Sequence, residues 1–156
     1  MKPDEKYITV NTDASFSMVK GMGGFGIWIK CSSFTIKKAG QFAGAISDSN
    51  EAELKALINA VHLIKDRMLY DHILVVNCDN KTVRDIINKG IKTKRLSQEV
   101  ELLNELVKPY KQVYAKTIRG HKKSHNERQY VNNWCDKASR EYYLKKGNGK
   151  AASNQG

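Results

Sequence analysis

The stretch DSNEAELKALINAVHLIKDRMLYDHILVVNCD, Asp48 to Asp79, joins two periodicities, and reading them decides the fold. Asp48 and Glu51 form a D-x-x-E capping box at the head of an apolar series, Leu54, Leu57, Ile58, Val61 and Ile64, that recurs at helical spacing. The spacing predicts a helix from Asp48 to about Met68. His72 to Cys78 is then continuously apolar, as in a strand buried on both faces of a sheet, and it ends in Asp79.

Upstream, Tyr7-Ile8-Thr9-Val10-Asn11-Thr12-Asp13 alternates as a strand and also ends in an acid. A Gly-rich stretch (Gly21, Gly23, Gly24, Gly26) leads to Ile27-Trp28-Ile29 and then Phe34-Thr35-Ile36, which reads as antiparallel hairpins. Downstream, a helix from about Asn80 to Asn88 closes at Gly90, and a second one carries Val100, Leu103, Leu106 and Val107 behind Ser97 as N-cap. Val113 to Ile118 reads as a strand, Arg119 to Gln129 as a polar loop, and Tyr130 to Leu144 as the last helix. The order βββαβααβα implies an α/β fold with a mixed five-stranded sheet, three strands antiparallel and the later ones parallel, flanked by helices. Residues 1–146 are expected to form one catalytic domain and 147–156 a disordered polar tail.

Composition narrows the function classes. Residues 1–80 carry 9 basic and 9 acidic side chains, whereas 81–156 carry 18 and 7, so the whole net charge of +11 lies in the second half. Such a field attracts polyanions. Apolar runs such as Ile73-Leu74-Val75-Val76 are far short of the roughly 18–20 residues that span a bilayer, which argues against a membrane partner. The N-terminal MKPDEKYITV holds no apolar leader, and Cys31, Cys78 and Cys135 are too widely spaced for a disulfide framework or a CxxC metal site. Reduced, buried cysteines and a cytoplasmic location are the expectation.

Asp13 and Asp79 stand at the ends of predicted strands, where α/β sheets bind ligands. Side by side, two carboxylates raise each other's pKa, a penalty that a hard divalent cation removes. Each alone is equally consistent with a turn or a cap. Glu51 and Glu53 lie on opposite edges of the helical stripe, each about 80° from its centre, so periodicity leaves both open. Glu51 already has a capping role, which leaves Glu53 the freer candidate. Asp136 sits in the last helix, where it could be a surface acid.

Together these pieces resemble a known family. Thr12-Asp13-Ala14-Ser15, Gly23-Gly24-Phe25-Gly26, Asn50-Glu51-Ala52-Glu53-Leu54, Asp79, Gly120-His121 and Asn132…Cys135-Asp136-Lys137-Ala138 resemble type 1 ribonuclease H, over roughly residues 7–144 and in the same element order. The resemblance implies a site of Asp13, Glu53, Asp79 and Asp136 holding two Mg²⁺ ions, with Mn²⁺ able to substitute, and cleaving the RNA strand of an RNA–DNA hybrid to 5′-phosphate and 3′-hydroxyl ends. Oxygen-only ligands suit those metals. His121 matches the family's loop histidine, with His125 as competitor. Ser15, Asn50, Asn80, Asn132 and the basic cluster Lys92, Lys94 and Arg95 are the expected substrate contacts, and the chain is expected to act as a monomer.

Four features depart from the family pattern, one being the 15-residue separation of His121 and Asp136, longer than in the common bacterial form. Ala14 stands where Gly is usual, Asn80 where Ser is common, and the short segment from Lys89 to Leu96 replaces the basic handle helix of many bacterial members. Weaker intrinsic hold on substrate is expected. The alternatives are a catalytically decayed nucleic-acid-binding scaffold, which the four retained acids argue against, and another nuclease of the superfamily. An exonuclease of that superfamily usually has D-x-E on its first strand, where this chain has Asp13-Ala14-Ser15. A structural role for the basic half would leave the ordered acids unexplained.

Overall fold

The computed structural model describes residues 4–17, 22–117 and 132–141. The strands are β1 (Tyr7–Ser17), β2 (Met22–Cys31), β3 (Phe34–Gln41), β4 (Ile73–Asn77) and β5 (Gln112–Lys116). The helices are α1 (Ser49–Ile64), α2 (Lys81–Lys89), α3 (Ser97–Val107) and α4, described over 132–141. One sheet runs in the order β3-β2-β1-β4-β5. Its β3-β2-β1 half is antiparallel, and β4 and β5 join β1 in parallel. This is the predicted mixed sheet, and its element order is the predicted one.

α1 forms where the capping box placed it. Asp48 Oδ1 accepts from Glu51 N at 2.9 Å, and Glu51 Oε1 reaches back to Ser47 N at 2.9 Å. Its apolar stripe from Ala52 to Ile64 is buried against Ile8, Val10, Ile27 and Ile29 of the sheet and Val100, Leu103 and Val107 of α3. The α-helix ends at Ile64, earlier than its periodicity suggests, and a single 3₁₀ turn follows from Lys65 to Arg67. Met68 then closes that turn in the left-handed region at φ 52°.

Every residue of β4 is buried, as expected for a strand with neighbours on both edges and layers on both faces. α2 is capped by the Asn80 side chain on Val83 N and closed by Gly90 at φ 65°, a conformation that favours glycine. α3 departs from expectation at its start. Leu96, not Ser97, occupies the cap and contributes no side-chain bond, and Thr93 Oγ1 instead accepts from Leu96 N at 3.3 Å. No helix forms between Gly90 and Leu96, so the handle is absent, as the short segment implied.

The larger correction concerns β1, which does not end at Asp13. Its ladder with β4 stops at Asn11 opposite Asn77, but its pairing with β2 continues through Asp13–Gly26 to Ser17–Met22. Asp13 therefore projects from a strand still held on one edge, two residues past the point where β4 leaves. Among the described residues, no helix is long and apolar enough to cross a membrane. The 147–156 segment lies outside the described residues.

Candidate active site

Asp13 on β1 and Asp79 just past β4 occupy equivalent positions, each two residues beyond the last ladder pair, Asn11–Asn77. Strand alternation puts Asp13 on the face shared by Asn11, Trp28 and Gly26, opposite to the face that α1 covers. α4 covers this second face. Trp134 meets Trp28 edge-on with centroids 5.4 Å apart, Cys135 Sγ lies 3.5 Å from Asn11 O, and Ser15 Oγ donates to Ser139 O at 3.1 Å.

Gly26 makes this docking possible. A Cβ built at Gly26 would lie 2.5 Å from the Cys135 carbonyl oxygen and 2.9 Å from its Cα, both backbone atoms that cannot swing aside. Gly26 also pairs with Asp13 in register, so the bare position under α4 is the one directly beside the first acid. The residue after Cys135 is Asp136, whose carboxyl group stands close enough to Asp13 to raise its pKa. The glycine run was legible only as turn punctuation, and its part in seating α4 is a site feature that the spacing did not disclose.

Glu53 enters from the other direction, from the first turns of α1. The backbone N–H of Ala14 donates to Asp13 Oδ1 at 2.9 Å and to Glu53 Oε1 at 3.0 Å, bringing two carboxylates to one donor. The Ala14 methyl raises no obstacle, because it packs against the core on the α1 side. Glu51, the other candidate, is fully engaged elsewhere. Partial burial opposes its ionisation, but hydrogen bonds from Lys55 and Ser47 outweigh that and pull its pKa down to about 2. Lys55 Nζ sits 2.7 Å from it and Ser47 Oγ 2.7 Å.

The gathered acids pay electrostatically for their placement. Burial, then the Asp136 carboxylate, holds the Asp13 pKa well above the ordinary carboxylate range. Burial raises Glu53 as well, and the charges of Asp13 and Asp79 push it further. Asp79 is exposed and held slightly apart, accepting from Thr117 Oγ1 at 3.3 Å and from Asn132 Nδ2 at 3.4 Å. The acids thus meet in pairs. Among the described residues, no three His, Cys, Asp or Glu side chains stand close enough to enclose a metal ion. An open, oxygen-only set with suppressed charge fits Mg²⁺, which keeps several waters and uses one or two carboxylates plus substrate phosphate in place of a protein cage. A groove of about 610 Å³ lies among β2, α1 and α3 and contains none of the four acids.

This geometry, on this sheet order, agrees with the family comparison: the RNase H family model matches residues 5–143. The chain belongs to the RNase H family. It is a hydrolase of the ribonuclease H type. A ribonuclease H of Chlorobium chlorochromatii (strain CaD3) is 29% identical over 149 residues, covering 88% of this chain and 95% of that protein. The fold is similar to RNase H1 from the halophilic archaeon Halobacterium salinarum NRC-1, with a TM-score of 0.67 and 16% identity over 88% of this chain and 98% of that one. It is also similar to LC11-RNase H1, solved in complex with an RNA/DNA hybrid, with a TM-score of 0.71 and 17% identity over 88% and 97%.

The expected substrate contacts of this RNase H fall into distinct groups. Ser15 is tied to α4 and Asn132 to Asp79, while Asn50 and Asn80 bond each other at 2.9 Å. Arg95 is exposed but engaged: its guanidinium pairs with Asp48 and donates to Ser47 Oγ at 3.1 Å, at the start of α1. Lys92 and Lys94 are exposed, with no ion-pair partner among the described residues. His121 and His125 lie outside the described residues.

Proposed function

We propose that this RNase H cuts the RNA strand of RNA–DNA hybrids endonucleolytically, leaving 5′-phosphate and 3′-hydroxyl ends, with residues 1–146 as the catalytic domain. The observation that carries this reading is the Ala14 N–H shared by Asp13 and Glu53 at the end of the β1–β4 ladder, with Asp79 just past β4 and Asp136 near Asp13. A relative solved with an RNA/DNA hybrid and the net charge of +11 support the substrate class.

Asp13, Glu53, Asp79 and Asp136 would hold two Mg²⁺ ions, or Mn²⁺ in their place. When bound, the ions would supply a nucleophilic water at neutral pH and positive charge near the leaving 3′-oxygen. The chain's own part is positioning. The Ala14 N–H orients two carboxylates at once, Thr117 and Asn132 fix Asp79, and α4 seated on Gly26 delivers Asp136. Burial of Asp13 and Glu53 leaves them poorly solvated, so they gain more from a cation than surface acids would. His121 is assigned to proton transfer or product release on the family resemblance.

The test is a panel of end-labelled RNA–DNA hybrid, double-stranded RNA and double-stranded DNA. Cleavage of hybrid RNA alone, abolished by Asp79→Asn, is the expected result. Hybrid cleavage that survives Asp79→Asn contradicts the site assignment, and cleavage of double-stranded DNA contradicts the substrate. The basic loop adds a second expected outcome. Because Arg95 is committed to Asp48, Lys92 and Lys94 are the free cations, and replacing both by Ala should lower the salt slope of hybrid binding by about 1–2. An unchanged slope removes the loop from the interface.

A further inference from the structure

Asn80, which follows Asp79 where β4 passes into α2, uses both ends of one carboxamide. Its Oδ1 accepts from Val83 N at 2.9 Å, capping α2. A backbone N–H can only donate, so this bond fixes which end of the Asn80 amide faces the helix. Nδ2 must then point the other way, where it donates to Asn50 Oδ1 at 2.9 Å. The same reasoning passes to Asn50. Facing a group that only donates, it must offer its carbonyl, and its own NH₂ is turned away with no hydrogen bond to any described residue.

Asn50 is half-buried, one helical turn before Glu53 on α1, and Asn80 adjoins Asp79. The locked amide pair therefore ties together the two segments that carry Glu53 and Asp79. A freely rotating carboxamide can present a donor or an acceptor at equal cost, and reads neither.

We propose that Asn80 is a positioning residue that locks the Asn50 carboxamide with its NH₂ outward, making Asn50 a donor-only reader of a hydrogen-bond acceptor in the hybrid's minor groove. That groove offers acceptors of two kinds, the 2′-oxygen of RNA and the ring nitrogen or carbonyl oxygen of a base. The inference rests on the hybrid-cleaving reading of the site, but it concerns a hydrogen-bond relay that can be measured without cleavage.

The test uses the full chain as native protein, Asn80→Ser, Asn50→Ala and the double variant. Ser keeps a capping oxygen for Val83 N yet is too short to reach Asn50, so the melting temperature should stay within a few degrees. Hybrid binding, measured in a chelator, should weaken roughly three- to tenfold in Asn80→Ser, as expected for one displaced hydrogen bond. Asn50→Ala should weaken it at least as much, and the double variant no further. KM should follow the binding loss while kcat holds within about twofold, a split that a merely structural cap would not produce. The Asn80 side-chain NH₂ protons, followed by NMR, should lose their bonded shift in Asn50→Ala.

Native affinity in Asn80→Ser, or losses that add in the double variant, would overturn the proposal. Hybrids carrying single 2′-deoxy substitutions along the RNA strand identify the acceptor. The Asn80→Ser effect vanishes at one position if the 2′-oxygen is read, and persists at all positions if a base is read. If the native chain binds but never cuts the hybrid, the catalytic reading fails while the binding cycle and the NMR result still decide the lock.

Discussion

Asp13→Asn is expected to stop hybrid cleavage and, at the same time, to make the protein more stable. Loss of one ligand from a metal-dependent site forfeits several kcal/mol of transition-state stabilisation, which at about 1.4 kcal/mol per tenfold is a fall of roughly 10³-fold or more. The stability gain has the opposite origin. Asp13 is half-buried beside Asp136 and Glu53, and its charge raises the Glu53 pKa, so an uncharged amide relieves repulsion that the fold otherwise carries.

The pH dependence fixes the sign of that gain. These acids have folded-state pKa values above their unfolded ones, so the unfolded chain releases protons first as pH rises. The native protein is therefore penalised progressively from about pH 4 upward, and the penalty levels only once the folded-state groups also ionise. In a chelator, Asp13→Asn and native protein should melt together near pH 4. At pH 8 the variant should melt about 2–8 °C higher, for relief of roughly 1–2 kcal/mol in a domain of this size. Equal melting at pH 8 would mean that the carboxylates do not oppose each other.

The second large effect is expected at a residue with no chemistry of its own. Gly26→Ala places a methyl 2.5 Å from the Cys135 carbonyl oxygen, and α4 must move off the sheet to admit it. Overpacking of this kind costs about 1–3 kcal/mol, and here the clash is with backbone. The displacement also carries Asp136 away from Asp13, so activity should fall by at least about 10²-fold at temperatures where the variant remains folded. Circular dichroism separates the two contributions. A folded variant with native activity would show that α4 can shift without disturbing the acids. Gly44, with nothing within 4 Å of its added Cβ, is the control, and Gly44→Ala should be silent in both measurements.

What the sequence discloses, and what it hides, follows from the range of each interaction. The α1 cap and stripe are local, so Asp48, Glu51 and the Leu54–Ile64 series could be read directly. The same local signal could not separate Glu51 from Glu53. That depends on Ser47 and Lys55 occupying one of them and on the Ala14 N–H reaching the other from β1. The extent of β1 was misjudged because alternation reports one strand, whereas its continuation past Asp13 is set by β2 alone after β4 has left. Arg95 looked like a free cation because its partner, Asp48, lies 47 positions away in the chain.

The basic excess and the acids divide the labour by position. The three acids of the first half lie on β1, α1 and the end of β4, and the fourth arrives on a helix from the basic half. Only the fold unites them. Gly26 is the clearest instance: a residue with no side chain determines whether the fourth acid reaches the first.

The most direct test of the account is strand-specific cleavage of an end-labelled RNA–DNA hybrid by the native chain across a Mg²⁺ titration. The account predicts no cleavage in chelator, cleavage of the RNA strand alone that rises with Mg²⁺ and is restored by Mn²⁺, and 5′-phosphate ends on the products. Failure to cut the hybrid at any concentration of either metal, or cutting that persists in chelator, would contradict it.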